Sequence, residues 1–582
     1  MRTWLAAVAA VLTVLFMSLS ACANIPEQST PQAENNDAGP TPNPVPGPDA
    51  KADPFALVRG FVELGGNPEA AKAYLSEAGR SAWPGDNPPT IINDNFGTVP
   101  LPVSERKIQG DEQQTLDVTV VLTVTKVGQL GADRAYTPAF GTAEYRVVVH
   151  RPAVGEPWRI QVPPDTVLVT SPDFNRSYKR VSLYFFDPDF RVLVPDLRYV
   201  AAEPATGIPP RVIGLLLDGP SDTLRGAVKT EIGPDAEMRT NAVYTDGALV
   251  VNLTKIGDRT PADRTLMAAQ IVLSLREVTQ GRIRLLVDQH PLVDGHGDWR
   301  PSDLPSYDAA TRPGPDLPGL YTVNGRVFSL RDGAPVPGQA GNGELRIQSA
   351  AQSVDGKTLA VVQDVPSGAR LRIGAFGGAL PEVDLAAPTL TRPTWMPGTA
   401  NSASNELWVV QNNFDVIRMV RTGNGTWVPS AVSALDLKPF GTITDLRLSR
   451  DGVRLAAVAN GQVVVASVVR DKESVSIHSP RVLQGNEIRG VIGVDWGSQD
   501  TIVAATGART QPVVNIPVDG YSIEPFSSAN LGSSPVTAIA AAPDREVVAA
   551  DRTGMWTVSD VGQVWRLQAQ HQIPNARPFY PG

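Results

Sequence analysis

Ser353-Val354-Asp355-Gly356-Lys357-Thr358-Leu359-Ala360 recurs as Ser449-Arg450-Asp451-Gly452-Val453-Arg454-Leu455-Ala456, with Ser, Asp, Gly, Leu and Ala at the same positions. Each copy reads as a strand end, a tight Asp-Gly turn and the start of a second apolar strand. Variants of the unit lie between and after the two copies. Thr394-Trp395-Met396 leads to Glu406-Leu407-Trp408-Val409-Val410, Val494-Asp495-Trp496-Gly497-Ser498 to Thr501-Ile502-Val503-Ala504, and Ala541-Ala542-Pro543-Asp544 to Val547-Val548-Ala549. The anchors recur about every 47 residues, the period of a propeller blade built from four short strands. Residues 319–582 therefore read as an all-β propeller of five to six blades, with a β-sandwich pair as the competing architecture. Trp395, Trp408, Trp496, Trp556 and Trp565 are expected to fill blade cores.

Working outward, residues 301–318 are rich in Pro, Asp and Ser (Pro301, Asp303, Pro305, Pro313, Pro315, Pro318) and read as a linker. Residues 179–300 alternate strands and helices. Val181–Phe185 and Leu193–Arg198 flank the turn Asp187-Pro188-Asp189, Leu249–Leu253 is a further strand, and Thr260-Pro261 caps a helix with Met267, Ile271, Leu275 and Val278 on one face. The stretch LYFFDPDFRVLVPDLR, the LLLDGP segment, the ALVVNL strand and the AAQIVLSL helix together resemble the GerMN module. The resemblance implies a binding and assembly domain without catalytic residues.

Residues 53–178 open with Asp53-Pro54 as N-cap and first helical position, followed by the stripe Phe55, Leu57, Val58, Phe61, Val62 and a stop at Gly65-Gly66. A second helix starts at Asn67-Pro68. Alternating Leu116, Val118, Val120, Leu122 and Val124, then Tyr145–Val149 and Trp158-Arg159-Ile160, read as an antiparallel sheet. This order of helices and sheet, with Trp-Arg-Ile near the last strand, resembles the nuclear-transport-factor-2-like cone. The fold class is thus multidomain: two small α+β domains, the cone-like and the GerMN-like, precede the propeller.

The N-terminal end sets the compartment. Arg2 precedes an apolar run from Leu5 to Leu19, shorter than the ~20 residues that span a bilayer, and Leu19-Ser20-Ala21 leads into Cys22. Residues 1–21 therefore read as a signal peptide. The pattern resembles the bacterial lipobox, which implies a thioether-linked diacylglyceryl group, a palmitate-class anchor, on Cys22. Residues 22–52 carry that cysteine and then Pro26, Pro31, Pro40, Pro42, Pro44, Pro46 and Pro48 among small polar residues. Such a segment buries too little apolar surface to fold and reads as a tether.

The chain has 582 residues, and Cys22 is its single cysteine, so no internal disulfide is available. The formal net charge of −9 argues against a nucleic-acid partner. The densest chemistry-bearing cluster is Asp288, His290, Asp294, His296 and Asp298. Its residue types suit a metal, but its Pro and Gly neighbours suit a solvated loop, which is the expectation. His150, His478 and His571 stand isolated, and no Gly-x-Ser-x-Gly elbow is present. The glycines from Gly338 to Gly343 lack a phosphate-loop ending. No catalytic, cofactor-binding or metal residue is therefore assigned.

The whole order of lipobox, Pro-rich tether, cone, GerMN-like module and propeller resembles the actinobacterial LpqB lipoproteins. That resemblance implies a non-enzymatic accessory lipoprotein, anchored through Cys22 on the extracytoplasmic face of the cell membrane. It further implies contact with the extracytoplasmic domain of the sensor histidine kinase MtrB, modulating the MtrA–MtrB two-component system that governs cell-wall homeostasis and cell division. A scaffold that binds cell-wall polymer and an envelope propeller hydrolase are the alternatives.

Overall fold

The structure is a computed structural model. It describes residues 47–105, 116–307, 311–396, 404–472, 474–485, 487–531, 535–568 and 573–582. Cys22, His571 and most of the tether lie outside the described residues. Residues 47–582 form one compact unit.

Helix α1 (Pro54–Glu63) starts where Asp53 accepts hydrogen bonds from the N–H groups of Phe55 and Ala56, with Pro54 at its first position. It buries Leu57, Val58, Phe61 and Val62. The helix ends at Glu63, and Gly65 beyond it lets the chain pass close to Leu168: a Cβ there would lie 1.9 Å from the carbonyl oxygen of Leu168. Short helices α2 (Pro68–Lys72) and α3 (Glu77–Ala82) follow, capped by Asn67 and Ser76. They pack with α1 against a six-stranded sheet of β1 (Thr90–Ile92), β2 (Gly97–Pro100), β3 (Asp117–Leu130), β4 (Tyr136–His150), β5 (Arg159–Val162) and β6 (Leu168–Thr170). In the long β3–β4 hairpin, Val120, Leu122 and Val124 face the helices and Thr119, Thr123 and Thr125 face away, as the alternation predicts.

Helix α4 (Ser171–Ser177) leads directly into β7 (Tyr178–Phe186), which pairs with β8 (Leu193–Ala201) along its whole length. Then come α5 (Ile208–Asp218), β9 (Glu237–Thr245), β10 (Ala248–Thr254), α6 (Pro261–Leu275) and β11 (Arg282–Val287). Strands β10 and β11 run parallel, joined by α6, and β9 closes back on β10 through Asp246-Gly247, both at positive φ as a tight hairpin requires. Thr260 and Asp263 form a full capping box on α6, and Met267, Ile271 and Leu275 are buried. LLLDGP is the end of α5, and Gly219 at φ 91 terminates that helix.

Residues 319–582 form six sheets, each bordering the next around a ring. Blades 2 to 6 are four-stranded and occupy residues 347–387, 394–431, 443–483, 491–525 and 538–567. Blade 1 joins the two ends of the domain. Its strands Leu320–Val323 and Arg326–Ser329 pair with Arg577–Phe579, in the register Leu320↔Phe579 and Thr322↔Arg577. Pairing the two ends of the domain in one sheet closes the ring.

The recurring turn has a common build. Ser353 and Ser449 hold Asp355 and Asp451, whose carboxylates accept from the N–H groups of Lys357 and Val453. Gly356 and Gly452 take positive φ, 73° and 74°. Trp395, Trp408, Trp496 and Trp565 are at most 1% exposed and fill the spaces within and between blades, while Trp556 is half-buried.

The linker is a strap laid against the propeller. Arg545 donates to the carbonyls of Gly314, Pro315 and Leu317, Arg331 donates to the carbonyl of Asp316, and Arg312 pairs with Asp544 at 2.7 Å. Leu317 seats on Gly356, where a Cβ would lie 2.5 Å from its methyl group.

Candidate functional site at the three-domain junction

The structure disperses the acidic-histidine cluster. Asp288 accepts from Arg239 (2.7 Å) and Thr254 (2.9 Å). Asp298 is shared by Arg284 (2.8 Å) and Arg282 (2.9 Å). The Thr254 and Arg239 contacts hold Asp288, and the Arg284 contact holds Asp298, below the usual carboxylate range. His296 lies against Trp299, ring centroids 3.9 Å apart, while His290 and Asp294 face solvent. A cation here would have to displace guanidinium groups already in place. Among the described residues no group of three or more His, Cys, Asp or Glu side chains is arranged to hold a metal ion. The stretch Gly338 to Gly343 is a one-turn helix, Gln339–Asn342, flanked by Gly338 and Gly343 at positive φ, rather than a simple turn.

Polar side chains of the propeller tie neighbouring blades together. Asp445 of blade 4 accepts from the N–H of Val494 in blade 5, and Asp495 of blade 5 accepts from the N–H of Ala541 in blade 6. Trp496 Nε1 donates to the carbonyl of Arg447, and Trp395 Nε1 to that of Ala351. Arg392 crosses to Asp495 (3.2 Å) and to the carbonyl of Pro578. Arg447 reaches the carbonyls of Arg392 and Pro393, and Arg450 that of Pro581. Burial lowers the pKa of Arg447 and of Arg450 to about 10, which leaves both charged at neutral pH. These groups staple neighbouring blades.

The most elaborate polar site lies where the three folded parts meet. In β8 the charged pair Asp196 and Arg198 interrupts an otherwise apolar strand, and both are buried, Arg198 completely. Arg198 donates to Asp196 (2.7 Å), to the carbonyl of Gly219 (3.1 Å) and to the carbonyl of Asp133 in the N-terminal domain. Asp196 also accepts from the N–H of Ser221, and Asp133 from that of Asp222. Burial pushes the Asp196 carboxyl up, but Arg198 and the Ser221 N–H outweigh it and hold it below the usual range. Arg454, on the repeated turn of blade 4, donates to the carbonyl of Pro195 in β8, and Gln499 of blade 5 donates to that of Leu193.

Beside this network, aromatic rings from all three parts converge. Tyr136 and Phe174 come from the N-terminal part, Tyr199 from β8 and Tyr521 from blade 5. Tyr136–Tyr521, Phe174–Tyr199, Phe174–Tyr521 and Tyr199–Tyr521 have centroids 5.1, 5.1, 5.2 and 5.6 Å apart. Tyr199 donates to Asp519 (2.8 Å) and Tyr521 to Asn175 (2.6 Å). Burial raises the Asp519 carboxyl and pushes the Tyr521 hydroxyl up to about 12. Apolar packing follows the same lines, since Val453 of the propeller belongs to the central domain's core and Leu197 of β8 to the propeller's. The arrangement supplies rigidity: bonds and packed rings join domains that composition alone would leave independent.

The residue-level signal for this site is Asp196-Leu197-Arg198, two opposite charges on one face of an apolar strand. The aromatic members sit tens to hundreds of residues apart and carry no motif. No helix among the described residues is long and apolar enough to cross a membrane.

Comparison with known proteins is consistent along the chain. Residues 47–175 match the model of the lipoprotein LpqB N-terminal domain, 182–293 that of a sporulation and spore germination family, and 325–581 that of the lipoprotein LpqB beta-propeller domain. Lipoprotein LpqB of Mycolicibacterium smegmatis is 30% identical over 98% of this chain and 100% of its own length. That of Rhodococcus opacus is 31% identical over 93% of this chain and 92% of its own, and that of Mycobacterium tuberculosis 28% identical over 98% and 99%.

Proposed function

The chain belongs to the LpqB lipoprotein family, and from that premise we propose that it is a lipid-anchored accessory protein that acts by binding. Its partner in this reading is the extracytoplasmic domain of the sensor histidine kinase MtrB, and its effect is on MtrA–MtrB signalling in cell-wall homeostasis and division. The observation that carries the reading is the buried junction. A body whose three parts are held by Arg198, Arg454 and the Tyr136–Phe174–Tyr199–Tyr521 cluster presents one fixed surface. Such a surface can prefer one kinase conformation over another, and it shifts the kinase equilibrium only by that difference in affinity.

Cys22 carries the anchor in this account. Two acyl chains hold a protein on a membrane where one does not. Residues 23–52, if extended, reach about 90 Å at ~3.1 Å each, which raises the body's effective concentration near membrane partners. Cys22→Ala is expected to move the protein from the membrane fraction to the soluble fraction on cell fractionation. A variant that stays in the membrane fraction would place the anchor elsewhere.

The kinase proposal is tested by titrating the body, residues 47–582, with purified kinase extracytoplasmic domain. Saturable one-to-one binding is expected. No binding at about 50 μM, weaker than about −6 kcal/mol, would remove the kinase from the account.

A further inference from the structure

The outermost strand of blade 4, Ser474–Leu483, carries a group that the sequence presents as an isolated histidine. Ser476 and His478 are two residues apart and share a face of the strand. Ser476 Oγ lies 2.8 Å from His478 Nε2. On the other side of the ring, His478 Nδ1 faces Asp436 Oδ2 at 3.6 Å, ion-pair distance.

Each member is held from its own element. Asp436 belongs to the helical turn Leu435–Phe440. Just before that turn, the Ser433 N–H donates to the Val475 carbonyl and the Ile477 N–H donates to the Ser433 carbonyl, both at 2.9 Å. The turn is thereby fixed beside the strand. Immediately after His478 the ladder is bulged: Ser467 pairs with His478 and Val465 with Arg481, so Ser479 and Pro480 oppose Ala466 alone. Bulges of this kind re-aim the side chains next to them. Val469, the register partner of Ser476, meets the central domain at Gly226, so the group stands at the rim of the domain junction.

A hydroxyl within hydrogen-bond reach of an imidazole, with a carboxylate on the far ring nitrogen, is the arrangement that activates a serine. The carboxylate favours the tautomer with its proton on Nδ1. Nε2 is then free to accept from the Ser476 hydroxyl.

We propose that Ser476 is an activated surface nucleophile that accepts an acyl group from an activated carboxylic ester. Ser476 Oγ adds to the ester carbonyl carbon while His478 Nε2 takes the hydroxyl proton. The tetrahedral adduct collapses with cleavage of the bond to the leaving oxygen. That oxygen departs as the alcohol, taking the proton back from the imidazolium. The product is an ester on Ser476, with no change in oxidation state. His478 and Asp436 are 50% and 51% exposed, so the group stands on open surface and the expected event is a single acylation. This inference is independent of the kinase reading.

The test is acetylation of the full-length protein, in detergent, by p-nitrophenyl acetate, with the modified residues mapped by peptide mass spectrometry. Ser476 is expected to acetylate at least about 100-fold faster than the neighbouring exposed Ser474, the low end of what a positioned base contributes. His478→Gln should bring Ser476 to the Ser474 rate, and Asp436→Asn should slow it at least about threefold by loosening the ring. The two substituted side chains, His478 and Asp436, lie at the surface, so unchanged melting temperatures are expected and separate lost reactivity from lost fold. Acetylation of Ser476 no faster than of Ser474, or unaffected by His478→Gln, would overturn the proposal.

Discussion

Arg198→Ala is expected to destabilise the body by about 3–5 kcal/mol, because it strands a buried carboxylate rather than merely deleting contacts. Asp196 is 3% exposed and Arg198 0%, so the carboxylate left behind has little access to solvent. The same substitution frees the carbonyl of Asp133, so the N-terminal domain loses one of its ties to β8 and keeps the Tyr199 N–H bond to the Arg134 carbonyl. Replacing both partners, as Asp196→Asn with Arg198→Met, removes the stranded charge and should recover most of the loss. The pH dependence carries its own sign. Arg198 and Ser221 hold the folded Asp196 pKa below its unfolded value. Its contribution is therefore complete above the ordinary carboxylate range and is lost as pH falls through the folded value. Asp519 and Asp451, both raised by burial, act in the opposite sense: they cost stability above their unfolded pKa, and that cost is relieved on acidification. Denaturant titrations between about pH 3 and 7 should show the acid-side loss in the wild type and a smaller one in Arg198→Ala. A variant within about 1 kcal/mol of the wild type at neutral pH would mean that the junction is not a buried ion pair in solution.

The second large effect lies at the ring. Trp496→Ala is expected to cost about 3–5 kcal/mol. Trp496 is 1% exposed, packs in the core shared by blades 4 and 5, and donates to the carbonyl of Arg447 across that seam. Truncation opens a cavity in a closed ring, where blades 4 and 5 cannot approach without straining the others. Trp496→Phe keeps most of the volume and loses the cross-blade hydrogen bond. A smaller cost of about 1–2 kcal/mol is expected for it, from the carbonyl left unpaired and the volume difference. Denaturation midpoints of the two variants check the order. Equal losses would assign the effect to the hydrogen bond rather than to the packing.

What the sequence made legible was local and periodic. Asp53-Pro54, Asn67-Pro68 and Thr260-Pro261 cap helices because the capping bond spans only two or three residues. The Ser-x-Asp-Gly turns were readable for the same reason, and their spacing gave the blades. The number of blades was not, because blade 1 is split between Leu320–Ser329 and Arg577–Phe579 and shows no complete unit in either place. Long-range ties were also hidden. Tyr199 and Asp519 are 320 residues apart, and Arg454 and Pro195 are 259 apart, with no pattern linking them. The segment 301–318 has the composition of a free linker, and only long-range contacts of its described residues, such as the carbonyl bonds from Arg545 and the Arg312–Asp544 pair, show otherwise. His478 looked isolated because its carboxylate partner, Asp436, comes from a neighbouring turn rather than from its own strand. The cluster at Asp288–Asp298 illustrates the converse: a dense motif whose carboxylates were already taken by Arg239, Arg282 and Arg284.

The central claim is that three domains form one cooperative body, against the ordinary behaviour of multidomain chains, whose parts unfold separately. Differential scanning calorimetry of residues 47–582 tests it most directly. The account predicts a single transition with a van't Hoff enthalpy close to the calorimetric one. Two or three resolved transitions, with the propeller melting apart from the domains that precede it, would contradict it.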